Sequence, residues 1–475
     1  MSTRDFREFI GKLEQEGQLV RFHEEILPEP GVRGVGRGAV DLGATGPAVL
    51  MDNIKGYKGK QLALNVHGSW ANYAIMMGMP KNTSLKEMFY ELARRWDRYP
   101  GEVKWVKNPV CQENVIRKNI NLYEIFPLFK VNPYDGGCYF AKASVVTKDL
   151  DEPDEFDKTN VGMYRLQVQG PDTIGLGALP FHDLGMHVRH AEAANRALPI
   201  AICLGVHPML SVMACTPIAY GKSEYKYAAA LDGAPLEIAK ALTSDLDIPA
   251  GCEYVIEGKV LPRQRFPEAP FGEFPGTYSG GRNQLRIQVE AITHRNDPIM
   301  ENMYTGRSWS ELDTIIGLST CVPLYQQLRE TMPEVKAVNA LYQHGLTVIV
   351  AVDNKFGHYA KTVAMRLAST PHGVAYCKNI ILVDGSVDPF DLVQVMWALS
   401  TRVRPAKDVI VIAPTPGHPT EPSSDPKGIS GKVIIDATTP AYPDAAGPQY
   451  RLVDKVENTE IFRKRIIELQ QATGR

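Results

Sequence analysis

The chain has 475 residues, of which 44% are hydrophobic and 22% are charged, so it is long enough for two or three domains with a large buried core. Its formal net charge is −2 and no basic run stands out, which excludes electrostatic capture of nucleic acid or of a membrane surface as its main activity. Residues 1–9 are charged, unlike a signal peptide, and the apolar runs are far shorter than the roughly 20 residues of a membrane-spanning helix. We therefore expect a soluble, cytoplasmic protein.

The seven cysteines are scattered along the chain and none forms a CxxC pair. A zinc knuckle or a redox dithiol is therefore not expected. The odd number and the expected cytoplasmic location indicate reduced thiols, most of them small buried side chains. Cys321 and Cys377 are the two candidates for a nucleophile.

The N-terminal region, residues 1–110, is predicted to be a small α/β unit. Two helices are expected where large apolar side chains recur at helical spacing behind a capping box. The two boxes are Ser2 with Asp5 and Ser84 with Glu87.

The middle of the chain is predicted to be rich in β-structure. Short strands with turn residues between them favour a barrel-like sheet. The candidate strands are Ala143–Thr147, Met163–Gln169, Pro199–Leu204, Glu253–Leu261 and Leu285–Thr293, and the candidate helices are Gly185–Ala197 and Glu224–Leu231.

The last third of the chain alternates apolar strands with helical segments, which favours a βαβ layer with a parallel sheet. The candidate strands are Leu346–Val352, Asn379–Val383, Val409–Ile412 and Val433–Ile435, and a helix is expected over Tyr359–Ser369. A closing amphipathic helix is predicted from Asn458, and such a terminal helix is a candidate for self-association.

Five short clusters combine polar side chains with glycine or proline: Asn160–Arg165, Leu179–Asp183, Ser223–Tyr225, Glu268–Gly276 and Thr370–Lys378. In the fourth, Glu268 and Glu273 flank an Ala-Pro-Phe-Gly segment that cannot form regular helix. An apolar neighbour and a second acid both raise the pKa of a carboxyl group, which prepares it as a general acid. The alternative is a solvated turn with two surface glutamates.

Asn160, His182 and Glu224 are candidates for a single metal site. An oxygen–nitrogen–oxygen ligand set suits Mn²⁺ or Mg²⁺ better than a thiolate-seeking metal. The alternatives, a structural histidine and an asparagine at a turn or cap, stay open because separation in sequence gives no distance in space.

The five clusters stand in the order and approximate spacing of the UbiD family of reversible decarboxylases, and the chain resembles that family over nearly its whole length. Further matching segments are Asn65–Trp70, Val322–Leu328, Val395–Thr401 and Ile434–Pro440. Within the family, the chain resembles most the subgroup that acts on phenolic acids such as 4-hydroxybenzoate and vanillate. The resemblance implies an N-terminal α/β domain (1–110), a central split β-barrel that binds flavin (111–305) and a C-terminal α/β oligomerisation domain with a terminal helix (306–475).

The resemblance also implies roles for individual residues. Asn160, His182 and Glu224 would bind Mn²⁺ or Mg²⁺ together with the phosphate of prenylated FMN, with K⁺ as a further candidate ion. Arg165, Glu268 and Glu273 would form the family's Glu–Arg–Glu network, with Glu273 as the proton donor. The other implied cofactor contacts are Met163, Tyr164, Ala178, Leu179, Phe181 and Lys378.

The implied reaction is reversible, non-oxidative decarboxylation of an aromatic or heteroaromatic acid of the 4-hydroxybenzoate type. A separate flavin prenyltransferase would supply the cofactor, and a homodimer or homohexamer is expected. Arg307 replaces an apolar residue of the phenolic-acid subgroup and could pair with the second carboxylate of a furan or benzene dicarboxylate, although a solvent or intersubunit contact stays open. His358 is a weaker pocket candidate. The alternative classes are a flavin reductase-like protein and a flavin-binding, non-catalytic subunit of a decarboxylase complex.

Overall fold

The computed structural model of the chain describes residues 3–179, 182–444, 453 and 456–473. The N-terminal part contains α1 (Phe6–Gln15), β1 (Leu19–Phe22), α2 (Arg33–Asp41), β2 (Ala48–Met51), β3 (Gln61–Leu64), α3 (Trp70–Met76) and α4 (Leu85–Trp96). The predicted mixed α/β fold with several separate sheets is confirmed.

The two predicted helix starts in this part have different outcomes. The capping box of Ser84 and Glu87 at α4 is confirmed. The predicted box at α1 is wrong, because Asp5 is itself the N-cap and its carboxylate accepts the amide of Glu8. The helix begins at the buried Phe6, so the capping oxygen has to come from the residue directly before it. Ser2 lies outside the described residues.

The central part contains most of the strands. Its elements are β4 (Val103–Trp105), β5 (Asn114–Ile116), α5 (Leu122–Ile125), β6 (Tyr139–Phe140), β7 (Ser144–Lys148), β8 (Thr159–Met163), β9 (Leu166–Gly170), β10 (Thr173–Leu176), α6 (Asp183–Ala193), β11 (Leu198–Leu204), α7 (Pro208–Met213), α8 (Glu224–Asp232), β12 (Leu236–Lys240), β13 (Asp247–Pro249), β14 (Tyr254–Glu268), β15 (Arg282–His294) and β16 (Ile299–Glu301). A nine-stranded sheet runs in the order β6-β9-β10-β15-β14-β11-β7-β8, with β5 added beside β15.

One break in this sheet curls it into an open barrel. The strand predicted over Met163–Gln169 is wrong, because β8 ends at Met163 and β9 begins at Leu166. These two strands lie near opposite ends of the strand order, yet only Tyr164 and Arg165 separate them. Three Cα–Cα steps span at most about 11 Å. The two ends of the sheet must therefore approach each other at this break.

The C-terminal part contains α9 (Glu311–Arg329), β17 (Val335–Tyr342), β18 (Thr347–Val352), α10 (Tyr359–Ala368), α11 (Pro371–Ala375), β19 (Asn379–Asp384), α12 (Leu392–Arg402), α13 (Pro405–Asp408), β20 (Val409–Pro416), β21 (Ile429–Ala437) and α14 (Thr459–Thr473). Its sheet runs β17-β18-β19-β21-β20. The predicted parallel sheet is found only at its centre, because the edge strands β17 and β20 join by hairpins and pair antiparallel.

Two apolar cores hold these parts together. One fills the barrel, and the other runs from α1 through α4 and α9 into the C-terminal sheet. The N- and C-terminal parts therefore pack on each other as well as on the barrel. None of the described helices combines the length and the apolar content needed to cross a bilayer.

Candidate active site

A cavity of about 430 Å³ lies between the open barrel and the C-terminal part. Its barrel side is formed by the break between β8 and β9, the start of α6, the start of α8 and the turn after β14. Its other side is formed by α9 and by loops of the C-terminal sheet. The cavity is thus built from four separate segments that connect the strands of the barrel.

An arginine and two glutamates form a connected network on the barrel side. Arg165 donates from Nε and Nη2 to the two carboxylate oxygens of Glu268, at 2.8 and 2.9 Å. Its Nη1 pairs with Oε1 of Glu273. Glu268 is only 1% exposed, so its charge is stabilised by this two-pronged pair rather than by water. The structure brings together all three residues of the predicted network.

The turn that carries Glu273 is held by a neighbouring loop that the sequence analysis did not single out. Asp135 accepts the amide of Gly272 at 2.8 Å, and the hydroxyl of Tyr139 donates to the Ala269 carbonyl at 2.8 Å. Gly136 comes so close that a Cβ there would stand 1.9 Å from the Cβ of Ala269. Burial raises the pKa of Asp135 to about 6. The signal that could have revealed this loop is its Asp-Gly-Gly sequence, which is typical of a tight, closely packed turn.

The three predicted metal ligands line the same cavity from three different elements. Asn160 lies on β8, His182 caps α6 and Glu224 is the first residue of α8. Burial lowers the pKa of His182 and raises that of Glu224 well above its usual value, helped by the charge of Asp183. Within the described ranges no lysine or arginine pairs with Glu224, whose carboxylate accepts the amide of Val161 at 3.3 Å. A cation among these groups would offset the electrostatic cost of the buried carboxylates.

The predicted flavin contacts around the sheet break also line the cavity. They are Met163, Tyr164, Ala178 and Leu179. The ring of Tyr164 lies directly against Gly162, where a Cβ would stand 2.5 Å from the ring. The glycine therefore allows this aromatic side chain to fold back beside the strand. Phe181 lies outside the described residues.

Three residues proposed from the sequence are not brought to this cavity. Lys378 pairs with Glu421 at 3.0 Å, and Arg307 pairs through Nε with Asp41 at 2.8 Å. Each cation therefore already has a carboxylate partner. His358 is the residue before α10 and also lies outside the lining. The geometry favours none of the three as a contact to cofactor or substrate.

Three histidines on the C-terminal side of the cavity were not named as site residues by the sequence analysis, although His372 lies in its cluster Thr370–Lys378. His344, His372 and His418 all line the cavity. Burial lowers the pKa of His344 to about 3 and those of His372 and His418 to about 4. Aromatic rings brace them: Phe274 stacks on His344 at 4.0 Å and Tyr376 on His372 at 4.4 Å. Each histidine adjoins a glycine in the sequence, but this gives no indication that the three segments meet in space.

All seven cysteines lie in the described ranges and are free, as predicted. Cys321 and Cys377 are buried, do not line the cavity, and have pKa values raised to about 12 by burial. A thiol that stays protonated at neutral pH is a poor nucleophile. The geometry therefore favours neither as a catalytic residue.

A second charged cluster lies close behind the cavity wall. His67, Glu301 and Glu311 come close enough together to hold a metal. However, the ammonium group of Lys142 already occupies this cluster, at 2.5 Å from both glutamates and 2.9 Å from the histidine. The cluster joins the three parts of the chain by ionic contacts and is not a vacant cation site.

Comparison with known proteins gives matches along most of the chain. Models of the N-terminal, Rift-related and C-terminal domains of 3-octaprenyl-4-hydroxybenzoate carboxy-lyase (UbiD) match residues 10–92, 103–308 and 313–437. A phenolic acid decarboxylase of Sedimentibacter hydroxybenzoicus is 51% identical over 476 residues, which cover 99% of each protein.

Two solved structures extend the comparison. The closed form of the vanillic acid decarboxylase ShVdcCD from Sedimentibacter hydroxybenzoicus superposes with a TM-score of 0.93 at 51% identity, covering 99% of both chains. An evolved dimeric form of the UbiD-class enzyme HmfF from Pelotomaculum thermopropionicum, in complex with prFMN, gives a TM-score of 0.81 at 28% identity, covering 97% of this chain and 98% of the other.

Proposed function

Because the chain belongs to the UbiD family of carboxy-lyases and is an aromatic acid decarboxylase of that class, we propose that it decarboxylates a phenolic acid of the 4-hydroxybenzoate type with prenylated FMN and Mn²⁺ or Mg²⁺. The observation that carries this proposal is the Glu268–Arg165–Glu273 network on the wall of the cavity. In it, an acid and a carboxylate-binding cation stand beside a space large enough for an aromatic substrate.

The residues around the cavity fit a phosphate-bearing cofactor and a divalent ion. Glu224 is buried and Asp183 is half-buried, the loss of water raises the pKa of both acids, and no basic side chain of the described ranges pairs with Glu224. Asn160 and His182 add one oxygen and one nitrogen donor, the set that Mn²⁺ or Mg²⁺ accepts. These three side chains would hold the ion, and the ion would hold the phosphate. Met163 and Tyr164 would lie along the ring system.

Loss of CO₂ from an aryl acid leaves an electron pair in the plane of the ring, where the ring cannot delocalise it. When bound, prenylated FMN supplies the electrophilic centre that accepts this electron pair. Arg165 binds and orients the substrate carboxylate while Glu268 fixes the guanidinium plane. Glu273 pairs with Arg165 while it is charged, and in its protonated form it delivers a proton to the ring carbon once CO₂ has left.

Two alternatives fit the geometry less well. A dicarboxylate substrate with its second carboxylate on Arg307 is not favoured, because that arginine pairs with Asp41 away from the cavity. A flavin-binding subunit without catalysis is not favoured either, because such a subunit would have no need for the Glu–Arg–Glu network.

The proposal also covers how this chain assembles with other subunits. The relative named ShVdcCD was also solved in open form with a truncated ShVdcD, so we infer that this chain acts beside a second, different subunit. Helix α14 exposes an apolar row, Ile461, Phe462 and Ile466, that suits packing against a second copy of the chain. We place this assembly in the cytoplasm, with a separate prenyltransferase supplying the flavin.

The test is reconstitution. The chain is co-expressed with a flavin prenyltransferase, purified without oxygen and supplied with Mn²⁺, and its bound cofactor is identified by absorption and mass. We expect prenylated FMN, and formation of phenol and CO₂ from 4-hydroxybenzoate. Protein from cells lacking the prenyltransferase is the control and should be inactive. A fully loaded enzyme that decarboxylates no phenolic acid would contradict the proposal.

A further inference from the structure

We propose that His418 recognises the hydroxyl group on the substrate ring, with its Nε2–H donating a hydrogen bond to the hydroxyl oxygen. This inference rests on the proposed decarboxylation of a phenolic acid and identifies the residue that selects for the phenol. It follows from the protonation of the ring, from its charged neighbours and from its position in the cavity.

The hydrogen bonds of His418 fix which ring nitrogen carries the proton. Its Nδ1 lies 3.3 Å from the backbone nitrogen of Thr420 and 2.7 Å from the hydroxyl of the same residue. A backbone N–H can only donate, so Nδ1 must accept and cannot carry a proton. In the neutral ring the proton is therefore on Nε2, which has no hydrogen-bond partner among the described residues.

The surroundings of His418 keep the ring neutral. Burial lowers its pKa to about 4, and nearby basic groups add to this shift. The groups that face it are His182, Arg165 and Arg282 from the barrel and His372 from the C-terminal part. No carboxylate of the described ranges forms an ion pair with it that would favour the charged ring. Near neutral pH, His418 therefore offers one N–H donor and no positive charge.

His418 lines the cavity beside two aromatic rings, where a flat aromatic substrate would fit. It lies in the loop between β20 and β21, on the C-terminal side of the cavity. Its ring stands 5.5 Å from that of Phe274, the residue after Glu273, and 4.8 Å from that of Tyr376. Two aromatic rings thus restrict its orientation. A substrate whose carboxylate contacts Arg165 on the barrel side would direct its opposite edge toward this side.

A fixed and unpaired donor gives selectivity by a simple mechanism. A substrate with a hydroxyl group satisfies the Nε2–H, whereas a methyl group of similar size leaves it buried without a partner. An unsatisfied buried polar group is costly, so a site built to bond a hydroxyl rejects analogues that lack it.

The neighbouring histidines, His372 and His344, are less suitable as donors to the substrate hydroxyl group. His372 already places Nε2 3.1 Å from the carbonyl oxygen of His344. His344 has an unpaired Nε2, but Phe274 covers one face of its ring at 4.0 Å and no hydrogen bond of the described residues fixes its proton. His344 is therefore the rival that the experiment must separate from His418.

The experiment compares kcat and KM for 4-hydroxybenzoate and 4-methylbenzoate in the loaded wild-type enzyme and three variants. His418→Phe keeps an aromatic ring and removes the donor, His418→Gln keeps an N–H donor, and His344→Phe tests the rival. We expect His418→Phe to lower the preference for the hydroxy acid roughly 10- to 100-fold, mainly through KM, with flavin content unchanged. His418→Gln should restore part of the preference, and His344→Phe should keep it.

The outcomes separate this inference from the proposed function. If the wild type decarboxylates 4-hydroxybenzoate and His418→Phe keeps the full preference, the role of His418 is wrong while the function stands. The same conclusion follows if the preference is lost in His344→Phe instead. If the loaded wild type decarboxylates neither acid, the proposed function fails and this inference fails with it.

Discussion

Both sides of the cavity carry largely buried ionisable groups, but these groups are charged on one side and neutral on the other. On the barrel side, Arg165 keeps its charge by pairing with Glu268 and Glu273. On the C-terminal side, His372 and His418 stay neutral because burial lowers their pKa values to about 4. Burial alone disfavours every charge, so the difference lies in the partners that each side provides. A side with paired charges can hold a carboxylate and move a proton, whereas a neutral side with fixed donors can select a substrate without disturbing those charges.

The largest expected effect comes from removing the acid on the charged side. Glu273→Gln keeps the shape of the side chain but cannot deliver a proton. We expect kcat to fall on the order of 10³-fold, since general acid catalysis typically contributes about 10²- to 10⁴-fold. Turnover of the loaded enzyme is the measurement, with flavin content unchanged.

Glu237→Gln is the matched control, because Glu237 is an exposed glutamate outside the cavity. It should leave kcat unchanged. A Glu273→Gln enzyme that works at the wild-type rate would remove the proton-donor role and with it the functional contrast between the two sides.

A smaller effect is expected from the loop that holds this acid in place. Asp135 accepts the amides of Gly272 and Asn132, and Asp135→Asn can offer a single carbonyl oxygen to these two donors. The turn before Glu273 should then shift, and a misplacement of about 1 Å can lower a rate about 10²-fold. We expect kcat to fall roughly 10- to 100-fold with KM nearly unchanged.

The readout for Asp135→Asn is the split between kcat and KM, together with the thermal midpoint. A loss of stability with an unchanged kcat would show that Asp135 supports the fold and does not position the acid. Asp172→Asn, in the turn between β9 and β10, is a control for removing a carboxylate elsewhere in the barrel.

The smallest expected effect is the pH dependence of stability that comes from the neutral histidines on the C-terminal side. Histidines of an unfolded chain titrate near 6.5, whereas His418 and His372 titrate near 4 in the folded protein. The unfolded state therefore takes up protons first as the pH falls. The stability contribution of each neutral histidine is complete above about pH 6.5 and is lost as the pH falls toward 4, by up to about 3 kcal/mol each.

Thermal midpoints between pH 7 and pH 4 measure this loss. His418→Phe should lose roughly 1–3 kcal/mol less stability than the wild type over that range. Equal losses in the two proteins would mean that this histidine is not held neutral by the fold.

Much of the fold could be predicted from the sequence where local patterns decide it. The Ser84 box, the strand over Pro199–Leu204 and the helix from Glu224 all depend on nearby residues, and each is found close to its predicted bounds. Helix α9 was missed because 15 of its residues are buried, which removes the apolar–polar period, and because Pro323 lies within it. A helix buried on all sides carries no amphipathic signal.

The candidate site also divides into residues with a local sequence signal and residues that only tertiary packing brings together. The Glu268–Glu273 turn has a local sequence signal, and the resemblance to the UbiD family connected it to Arg165. The loop of Asp135, His344 and His418 could not be found in this way, because they meet the cavity only through tertiary packing. The positions of Lys378 and Arg307 were equally hidden, since their carboxylate partners lie far from them in the chain.

The central claim is that Asn160, His182 and Glu224 hold a metal and, through it, the flavin phosphate in this cavity. The most direct measurement is the metal and flavin content of His182→Ala, purified after co-expression with a prenyltransferase, beside His23→Ala as a control at an exposed histidine of the N-terminal part. We predict that His182→Ala loses metal and flavin together while His23→Ala keeps both. Full retention of metal and flavin by His182→Ala would contradict the account.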